Sequence, residues 1–338
     1  MTPPVLITMG DPAGIGPELC LRALREPAVQ AICRPLVVGS AALARRVASA
    51  AGLPPPETVI PIADWLAGSA SPVTGAWLDT GLPLGARTIE PGRVQAAAGH
   101  EAFRSIRAAV DPVIRGRAVA LVTAPINKAA LHLADIPYPG HTEMLANMTG
   151  AWRHAMMLAS DQMIVSLVTI HLGLADVPGR LTIEGILDTI RLTADALRRL
   201  GKSDPRLTVC GLNPHAGESG LFGTEETRLI LPAIAQARQD GLTILGPLPP
   251  DTAFVPDIRA QTDAYIVMYH DQGLIPFKML AFESGVNITL GLPIVRTSPD
   301  HGTAFDIAWK NKASTSSFFE SIRWAVRLAG TSGSWEQP

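Results

Sequence analysis

Residues 263–278, DAYIVMYHDQGLIPFK, decide how the rest of the chain is read. Positions 264–268 form a short apolar run rich in Val, Ile and an aromatic, the pattern of a central strand buried on both faces of a parallel sheet. The run stops at Tyr269, His270, Asp271 and Gln272, and Gly273, Pro276 and Lys278 follow. In open α/β sheets ligands bind just beyond the carboxyl ends of the strands. His270 and Asp271 are therefore predicted to stand at a ligand site.

Two more histidines arrive in the same way. Residues 163–170, MIVSLVTI, read as a strand, and His171 follows at once. Residues 207–212, LTVCGL, are a third apolar run, followed by Asn213, Pro214, His215, Ala216, Gly217 and Glu218. One histidine after one strand is usually a loop residue satisfied by a neighbour. Three, each delivered at the exit of a strand, point instead to a metal site, although no local spacing rule marks one. Neutral imidazole suits Zn, Co, Ni or Fe, and three protein ligands leave coordination positions open for substrate.

The chain of 338 residues has room for two domains or one large one. A hydrophobic share of 47% against a charged share of 17% supports a large core and excludes disorder. The net charge of −2, without a basic block, argues against nucleic acid as the partner. A small anionic substrate needs only a local cationic pocket. Cys20, Cys33 and Cys210 show no CxxC spacing and read as buried apolar residues in a reducing compartment. The start MTPPVLITMG lacks the features of a secretory signal, and no run reaches the ~18 apolar residues of a membrane span. The expectation is a soluble cytoplasmic protein that does not engage membranes.

Along the chain, residues 5–9 read as a strand, and GDPAGIGPE at 10–18 leads into a helical pattern that runs to 24. Pro17 and Glu18 suit a first helical turn. Gly14-Ile15-Gly16 lacks the third glycine of a dinucleotide fingerprint, so these glycines are read as shaping a tight strand-to-helix loop near a ligand. A strand at 36–39 and a helix at 41–50 follow; residues 52–92, rich in Pro and Gly, read as loops with short strands. An amphipathic helix is expected over 94–114 with a break at Asp111-Pro112. A strand at 118–122 ends in TAPINK, where Lys128 opens the next helix as either a solvated lysine or a site group. In PYPGHTE (137–143), Gly140, His141 and Thr142 are placed to meet an anion, or Thr142 caps the helix with Glu143 in its first turn, and both can hold. Helices are expected at 182–200, 224–240 and 315–328, a strand at 286–290, and loops at 214–223 and at 246–252, the latter carrying Asp251. Alternation of strands and helices predicts a mainly parallel α/β fold, and the absence of a strong linker predicts interleaved domains.

Taken together, ITMGDPAGIGPE, VTAPINK, YPGHTE, LNPHAGESGLFGTEE, GPLPPDT, YHDQGLIPFK and GVNITLGLPIVRTSPDHGTAFDIA resemble the 4-hydroxythreonine-4-phosphate dehydrogenase family over about residues 5–325. The resemblance implies a two-domain α/β/α subunit like those of isocitrate and isopropylmalate dehydrogenases, with the active site in the interdomain cleft. The domains are expected at 1–130 with 300–338 and at 131–299. It implies a homodimer with shared active sites and a divalent metal (Zn, Mg or Co) on His171, His215 and His270, one donated across the dimer interface. Substrate contacts carry over to His141, Thr142, Lys278, Asn287 and Arg296, with Lys278 and Arg296 as phosphate partners. Asp251, Asp271 and Lys278 are the catalytic candidates, the two carboxylates for polar contact or proton transfer. NAD or NADP contacts are assigned to residues 300–308, DHGTAFDIA, through His301, Gly302 and Asp306. The family usually continues there with glycine-rich sequence; this chain has Trp309-Lys310-Asn311-Lys312.

The implied reaction is oxidation of 4-phosphooxy-L-threonine to 2-amino-3-oxo-4-phosphooxybutanoate, which decarboxylates to 3-amino-2-oxopropyl phosphate on the way to pyridoxal phosphate. A paralogous dehydrogenase of 4-phosphothreonate or 4-phosphoerythronate would share the metal and phosphate contacts. A metal-dependent hydrolase or aldolase would use the same ligands without a nucleotide, and a non-catalytic phosphometabolite binder would keep ligand affinity without His215.

Overall fold

The first strand, β1 (Pro4–Thr8), buries both of its faces. Val5 and Ile7 join one apolar cluster with Val37, Trp77 and Val122, whereas Leu6 joins another with Leu36, Val38 and Leu121. Successive side chains of a strand point to opposite faces, so core on both sides requires a sheet covered by helices on both sides. The structure, a computed structural model, describes residues 2–81 and 88–330. Positions 82–87 of the Pro- and Gly-rich stretch, and 331–338 of the expected first domain, lie outside the described residues.

The chain divides into two compact units, Met1–Trp152 with Leu292–Pro338, and Arg153–Gly291. The first unit carries β1, β2 (Arg34–Gly39), β3 (Val59–Pro61), β4 (Ala76–Asp79) and β5 (Ala120–Thr123). The second carries β6 (Ala155–Ala159), β7 (Ile164–Leu167), β8 (Arg206–Cys210), β9 (Thr243–Leu248), β10 (Ala264–Val267) and β11 (Val286–Leu290). The chain then returns to the first unit with β12 (Arg296–Pro299).

Both ends of the second unit differ from the sequence expectation, for two packing reasons. The helix His141–Thr149 places Met144, Leu145 and Ala146 in the core around Leu121, so the first segment runs on to residue 152 rather than 130. β12 pairs with β5, so the return begins at 292 rather than 300.

In the first unit the strand order is β3-β4-β2-β1-β5-β12, and each of these pairings is parallel. In the second it is β11-β6-β7-β10-β8-β9, parallel from β7 to β9 and antiparallel on both sides of β6. β10, the strand of the quoted stretch, sits between β7 and β8, with Ala264 and Ile266 in one cluster and Tyr265 and Val267 in the other. The parallel order puts the exits of β7, β10 and β8 at the same edge, which is where the three histidines emerge.

Two helices depart from their expected form. Ala96–Ile114 runs through Pro112 without the expected break. Pro112 lies in the last turn, where its missing N–H forfeits a single bond, to the carbonyl of Ala108, and the helix ends two residues later. The segment expected as one helix over 224–240 opens with a π-turn, Glu226–Ile230, before the α-helix Leu231–Gln239. Pro232 cannot donate to the carbonyl of Arg228, and the wider turn lets the Leu231 N–H bond to the Glu226 carbonyl instead. Cys20, Cys33 and Cys210 are free and buried, and burial pushes the thiols of Cys33 and Cys210 up to about 12. Among the described residues no helix is long and apolar enough to cross a membrane.

Candidate active site

The exits of β7 and β10 are locked together. Val168 N–H donates to the Val267 carbonyl at 2.9 Å, and the Thr169 hydroxyl donates to the Met268 carbonyl at 2.7 Å. This register brings His171 beside His270, with ring centroids 5.7 Å apart. The exit of β8 is tied to the same point by Gln272. Its Oε1 accepts from Met268 N–H and its Nε2 donates to the Gly211 carbonyl, each at 2.7 Å.

His270 is the first residue of the helix His270–Ala281, whose N-cap is Tyr269 and has no side-chain cap. Its Nδ1 lies 2.7 Å from Asp271 Oδ1. A carboxylate there places the proton on Nδ1 and leaves Nε2 as a lone-pair donor, the usual arrangement around a metal-binding imidazole. His171, His270, Asp271, Tyr269, Leu172 and Leu174 line an open pocket of about 450 Å³.

His215 follows β8 on the segment Pro214–Gly220. Residues 215–219 all have positive φ: 53° at His215, 51° at Ala216, 82° at Gly217, 40° at Glu218 and 58° at Ser219. A left-handed turn costs an L-residue about 1–2 kcal/mol, so the four non-glycine positions together carry on the order of 4–8 kcal/mol. Strain of that size persists only where surrounding contacts impose it. Here Glu226 Oε1 accepts from the backbone N–H groups of Leu212 and Asn213, each at 2.8 Å. His215 packs on Phe222, ring centroids 5.7 Å apart. Among the described residues no three His, Cys, Asp or Glu side chains are grouped to hold a metal. Within one chain the structure therefore brings together two of the three predicted imidazoles.

Three more predicted residues lie in the second unit. Lys278 is two turns beyond His270 on the same helix, with Nζ 5.9 Å from the Phe282 ring centroid. Asn287 is on β11, and its Oδ1 is shielded from solvent without a hydrogen-bond partner. Asp251 is exposed in the first turn of the short helix Pro250–Ala253, which packs against the His215 segment.

The first unit presents a cationic cradle. Arg296, only 3% exposed on β12, donates to the Thr123 hydroxyl at the end of β5 from Nη2 at 2.7 Å and from Nε at 3.2 Å. Burial lowers its pKa to about 10, opposed by Glu143, so it remains a cation at neutral pH. Burial, and then the charge of Arg296, hold His141 well below the ordinary histidine range, and its Nε2 is shielded without a partner. In the tautomer with the proton on Nε2, such an imidazole beside a guanidinium can donate to an anion. His141 and Thr142 are the first two residues of the helix His141–Thr149, and the N-cap is Gly140, without a side-chain cap. Thr142 is thus not the N-cap that the sequence allowed; no side chain caps the first turn, and uncapped first-turn N–H groups are the kind that can receive an anion. Lys128 opens the helix Lys128–Leu133 and is exposed; a Cβ built on Gly140 would lie 3.8 Å from its Cε.

The loop after β1 and the loop after β12 touch. Ile15 N–H donates to the Thr303 carbonyl at 3.1 Å, and a Cβ on Gly14 would meet that oxygen at 2.8 Å. His301 Nδ1 lies 3.0 Å from the Gly302 carbonyl, and its Nε2 is shielded without a partner. Gly302 and Asp306 are exposed. Where the family is usually glycine-rich, Trp309 and Asn311 adopt φ of 61° and 58°, the region glycine favours. The Trp309 indole N–H donates to the Pro12 carbonyl at 2.8 Å, so a bulky side chain braces the loop instead. Asp11, on the same glycine loop, accepts from Ala13 N–H at 2.8 Å through one oxygen, while the other is buried without a partner. Asp11, Thr123 and Glu226 received no role from sequence; each lies within a quoted motif, and only the fold shows what it touches.

Comparison with known proteins agrees in one direction. The family model described as "Pyridoxal phosphate biosynthetic protein PdxA" matches residues 31–325. A 4-hydroxythreonine-4-phosphate dehydrogenase of Geobacter metallireducens is 46% identical, over 98% of this chain and 97% of its own. A D-threonate 4-phosphate dehydrogenase of Salmonella typhimurium is 45% identical, over 97% and 99%. The crystal structure of 4-hydroxythreonine-4-phosphate dehydrogenase from Klebsiella pneumoniae superposes with a TM-score of 0.86 at 43% identity, covering 97% of this chain and 98% of that one.

Proposed function

The chain belongs to the PdxA family of pyridoxal phosphate biosynthetic proteins, and from that premise we propose that it oxidises the secondary alcohol of 4-phosphooxy-L-threonine with NAD or NADP and a divalent metal. The product, 2-amino-3-oxo-4-phosphooxybutanoate, is a β-keto acid that loses CO2 to give 3-amino-2-oxopropyl phosphate. The observation that carries this reading is the paired imidazoles of His171 and His270, with Asp271 on the Nδ1 of the latter. That donor set fits a borderline divalent cation such as Zn or Co, and His215 supplies the third ligand. Bound there, the metal supplies Lewis-acid polarisation of the alcohol oxygen and of the ketone that replaces it.

The other residues divide the work. Arg296 and His141, with the amides that open the helix His141–Thr149, bind the phosphate, and Lys278 adds a point charge. Thr142 and Asn287 hold the remaining polar groups of the substrate and so fix the carbinol carbon for hydride transfer. Asp271 is engaged with His270, so Asp251 is the carboxylate left to accept the alcohol proton. The nicotinamide nucleotide supplies the hydride acceptor. His301, Gly302 and Asp306 are its proposed contacts, and the unsatisfied Nε2 of His301 suits a hydrogen-bonding ligand.

The proposed assembly is a homodimer. Ile275, Met279 and Phe282 are 60%, 80% and 74% exposed at helical spacing on and just beyond the helix that carries His270. An apolar stripe of that kind marks an interaction surface. In the proposed homodimer a second copy's histidine completes the pair; among the described residues of one chain no three such ligands are grouped. The reducing cytoplasm suits three free cysteines.

A second substrate is favoured by the nearly equal identities, 46% and 45%, to relatives named for the aminated and the non-aminated acid. D-threonate 4-phosphate is therefore the alternative. The test incubates the purified protein with 4-phosphooxy-L-threonine, D-threonate 4-phosphate or D-erythronate 4-phosphate, each with NAD or NADP and Zn, Mg or Co, and follows reduced nucleotide by absorbance. Turnover of the amino acid supports the first assignment. Turnover of a hydroxy acid alone transfers it to the alternative, and no turnover of any of them removes the dehydrogenase reading.

A further inference from the structure

A carboxylate that has no part in the reaction proposed above holds the start of the His215 loop and lies against its middle. Glu226 is 2% exposed on the π-turn Glu226–Ile230. Its Oε1 accepts from Leu212 N–H and Asn213 N–H at 2.8 Å each, and its Oε2 from Asn213 Nδ2 at 3.0 Å. These donors immediately precede Pro214 and His215. Beyond His215 the same carboxylate lies against Gly217, where a Cβ would stand 2.6 Å from Oε2; a Cβ on Gly211 would stand 3.1 Å from Oε1. Both glycines leave the room that the carboxylate fills. Inside the loop the left-handed run is spanned by Ala216 N–H to the Asn213 carbonyl and Phe222 N–H to the Gly217 carbonyl, at 3.1 and 3.2 Å. Neither bond reaches back to the end of β8, whereas Glu226 holds the backbone N–H groups of residues 212 and 213 and lies against Gly217; Asn213 Nδ2 donates to Glu225 Oε2 as well, at 2.8 Å.

We propose that Glu226 is the positioning residue for His215, presenting its imidazole to the metal; this rests on the reading of His215 as a metal ligand. Glu226 does not touch the metal or the substrate. It acts by holding a backbone conformation that L-residues disfavour, which a ligand must have before the metal arrives rather than after. The π-turn contributes by seating the carboxylate at the start of its helix, under the loop.

The test is Co²⁺ binding by the whole protein, measured by competition with a chromophoric chelator and by the visible d–d spectrum, for wild type, Glu226→Gln, His215→Ala and the double variant. Gln keeps one acceptor but turns an NH2 toward Asn213 Nδ2 and Gly217. The expected result is a loss of affinity of about 10- to 100-fold for E226Q, of the size seen for residues that orient metal ligands, with a weakened or altered d–d band. In the His215→Ala background the same change should have no further effect, because the residue acts only through His215. Wild-type affinity in E226Q overturns the proposal, as does a loss that recurs unchanged in the His215→Ala background, which is the mark of a general scaffold role. Absence of Co²⁺ binding by wild type instead sinks the metal reading, and this proposal with it. Gly217→Ala serves if E226Q does not fold, since its Cβ displaces the loop from the carboxylate while every side-chain group remains; wild-type affinity there also overturns the proposal.

Discussion

Replacing Gln272 by Leu tests whether one buried amide holds the candidate metal site together. Gln272 is the third residue of its helix, and a glutamine there commonly reaches back to the N-cap N–H. Here it reaches one residue further, to Met268 N–H, and its other end meets the Gly211 carbonyl, each at 2.7 Å. Gln272 is 7% exposed and Met268 is fully buried. Leu has a similar volume and offers neither bond, so one buried donor and one buried acceptor lose their partner. Each loss costs roughly 1–3 kcal/mol, partly offset because an amide no longer has to be desolvated, which leaves a net destabilisation of about 2–4 kcal/mol. Chemical denaturation followed by circular dichroism measures it, and Co²⁺ affinity should fall in the same variant because His270 and the exit of β8 are no longer tied. Gln272→Glu sharpens the test. One carboxylate oxygen still accepts from Met268 N–H, but the other faces the Gly211 carbonyl, so this variant should be unstable at pH 8 and recover on acidification, when a protonated carboxyl donates to that oxygen. A Leu variant within about 0.5 kcal/mol of wild type, the range of inconsequential substitutions, or a Glu variant equal to Gln at pH 8, would refute the reasoning.

Asp11 makes stability depend on pH. Burial raises its pKa from 3.8 to about 7, so between those values the folded protein keeps a proton that the unfolded chain releases. The stability from this group is complete below about pH 4 and is lost as pH rises through about 7. Asp11→Asn keeps the acceptor for Ala13 N–H and has no charge to bury. Its advantage over wild type should widen by roughly 2–3 kcal/mol between pH 5 and pH 8, and a constant difference in denaturation free energy across that range would contradict the account. Arg296→Lys keeps the charge but loses the fork that reaches Thr123 and that is proposed to meet the substrate phosphate. Its kcat/KM should fall about 10- to 100-fold, chiefly through KM, and unchanged steady-state kinetics would remove Arg296 from the substrate site.

The strands that deliver the histidines were legible because each is an apolar run bounded by polar residues, and β11 was read to the residue, 286–290. Strands whose sequence carries no such contrast were missed. β6 is AMMLA, composed of residues that favour helices, and is a strand because it closes an antiparallel pair with β7. β12 is RTSP, polar and ended by proline; its arginine lies inside the protein because β5 offers Thr123 beneath it. β9 carries little contrast either: Thr243 and Leu245 are exposed beside buried Ile244, and Gly246-Pro247 reads as a loop.

The same contrast divides the site. His171, His270 and Asp271 were predicted from position alone, because a strand exit is a place that sequence can name. What orients them was not. Gln272 and Thr169 act through bonds to backbone atoms 61 and 99 residues away in the chain, and no local pattern specifies which distant carbonyl a side chain will find. The strain at residues 215–219 was hidden for a related reason: His215, Ala216, Glu218 and Ser219 are not residues that announce a left-handed backbone. Only the carboxylate that imposes the conformation reveals it, and Glu226 reads in sequence as an ordinary first-turn glutamate. Here a one-dimensional reading names the residues proposed for the chemistry and misses those that hold them in place, because the former are marked by type and the latter by partner.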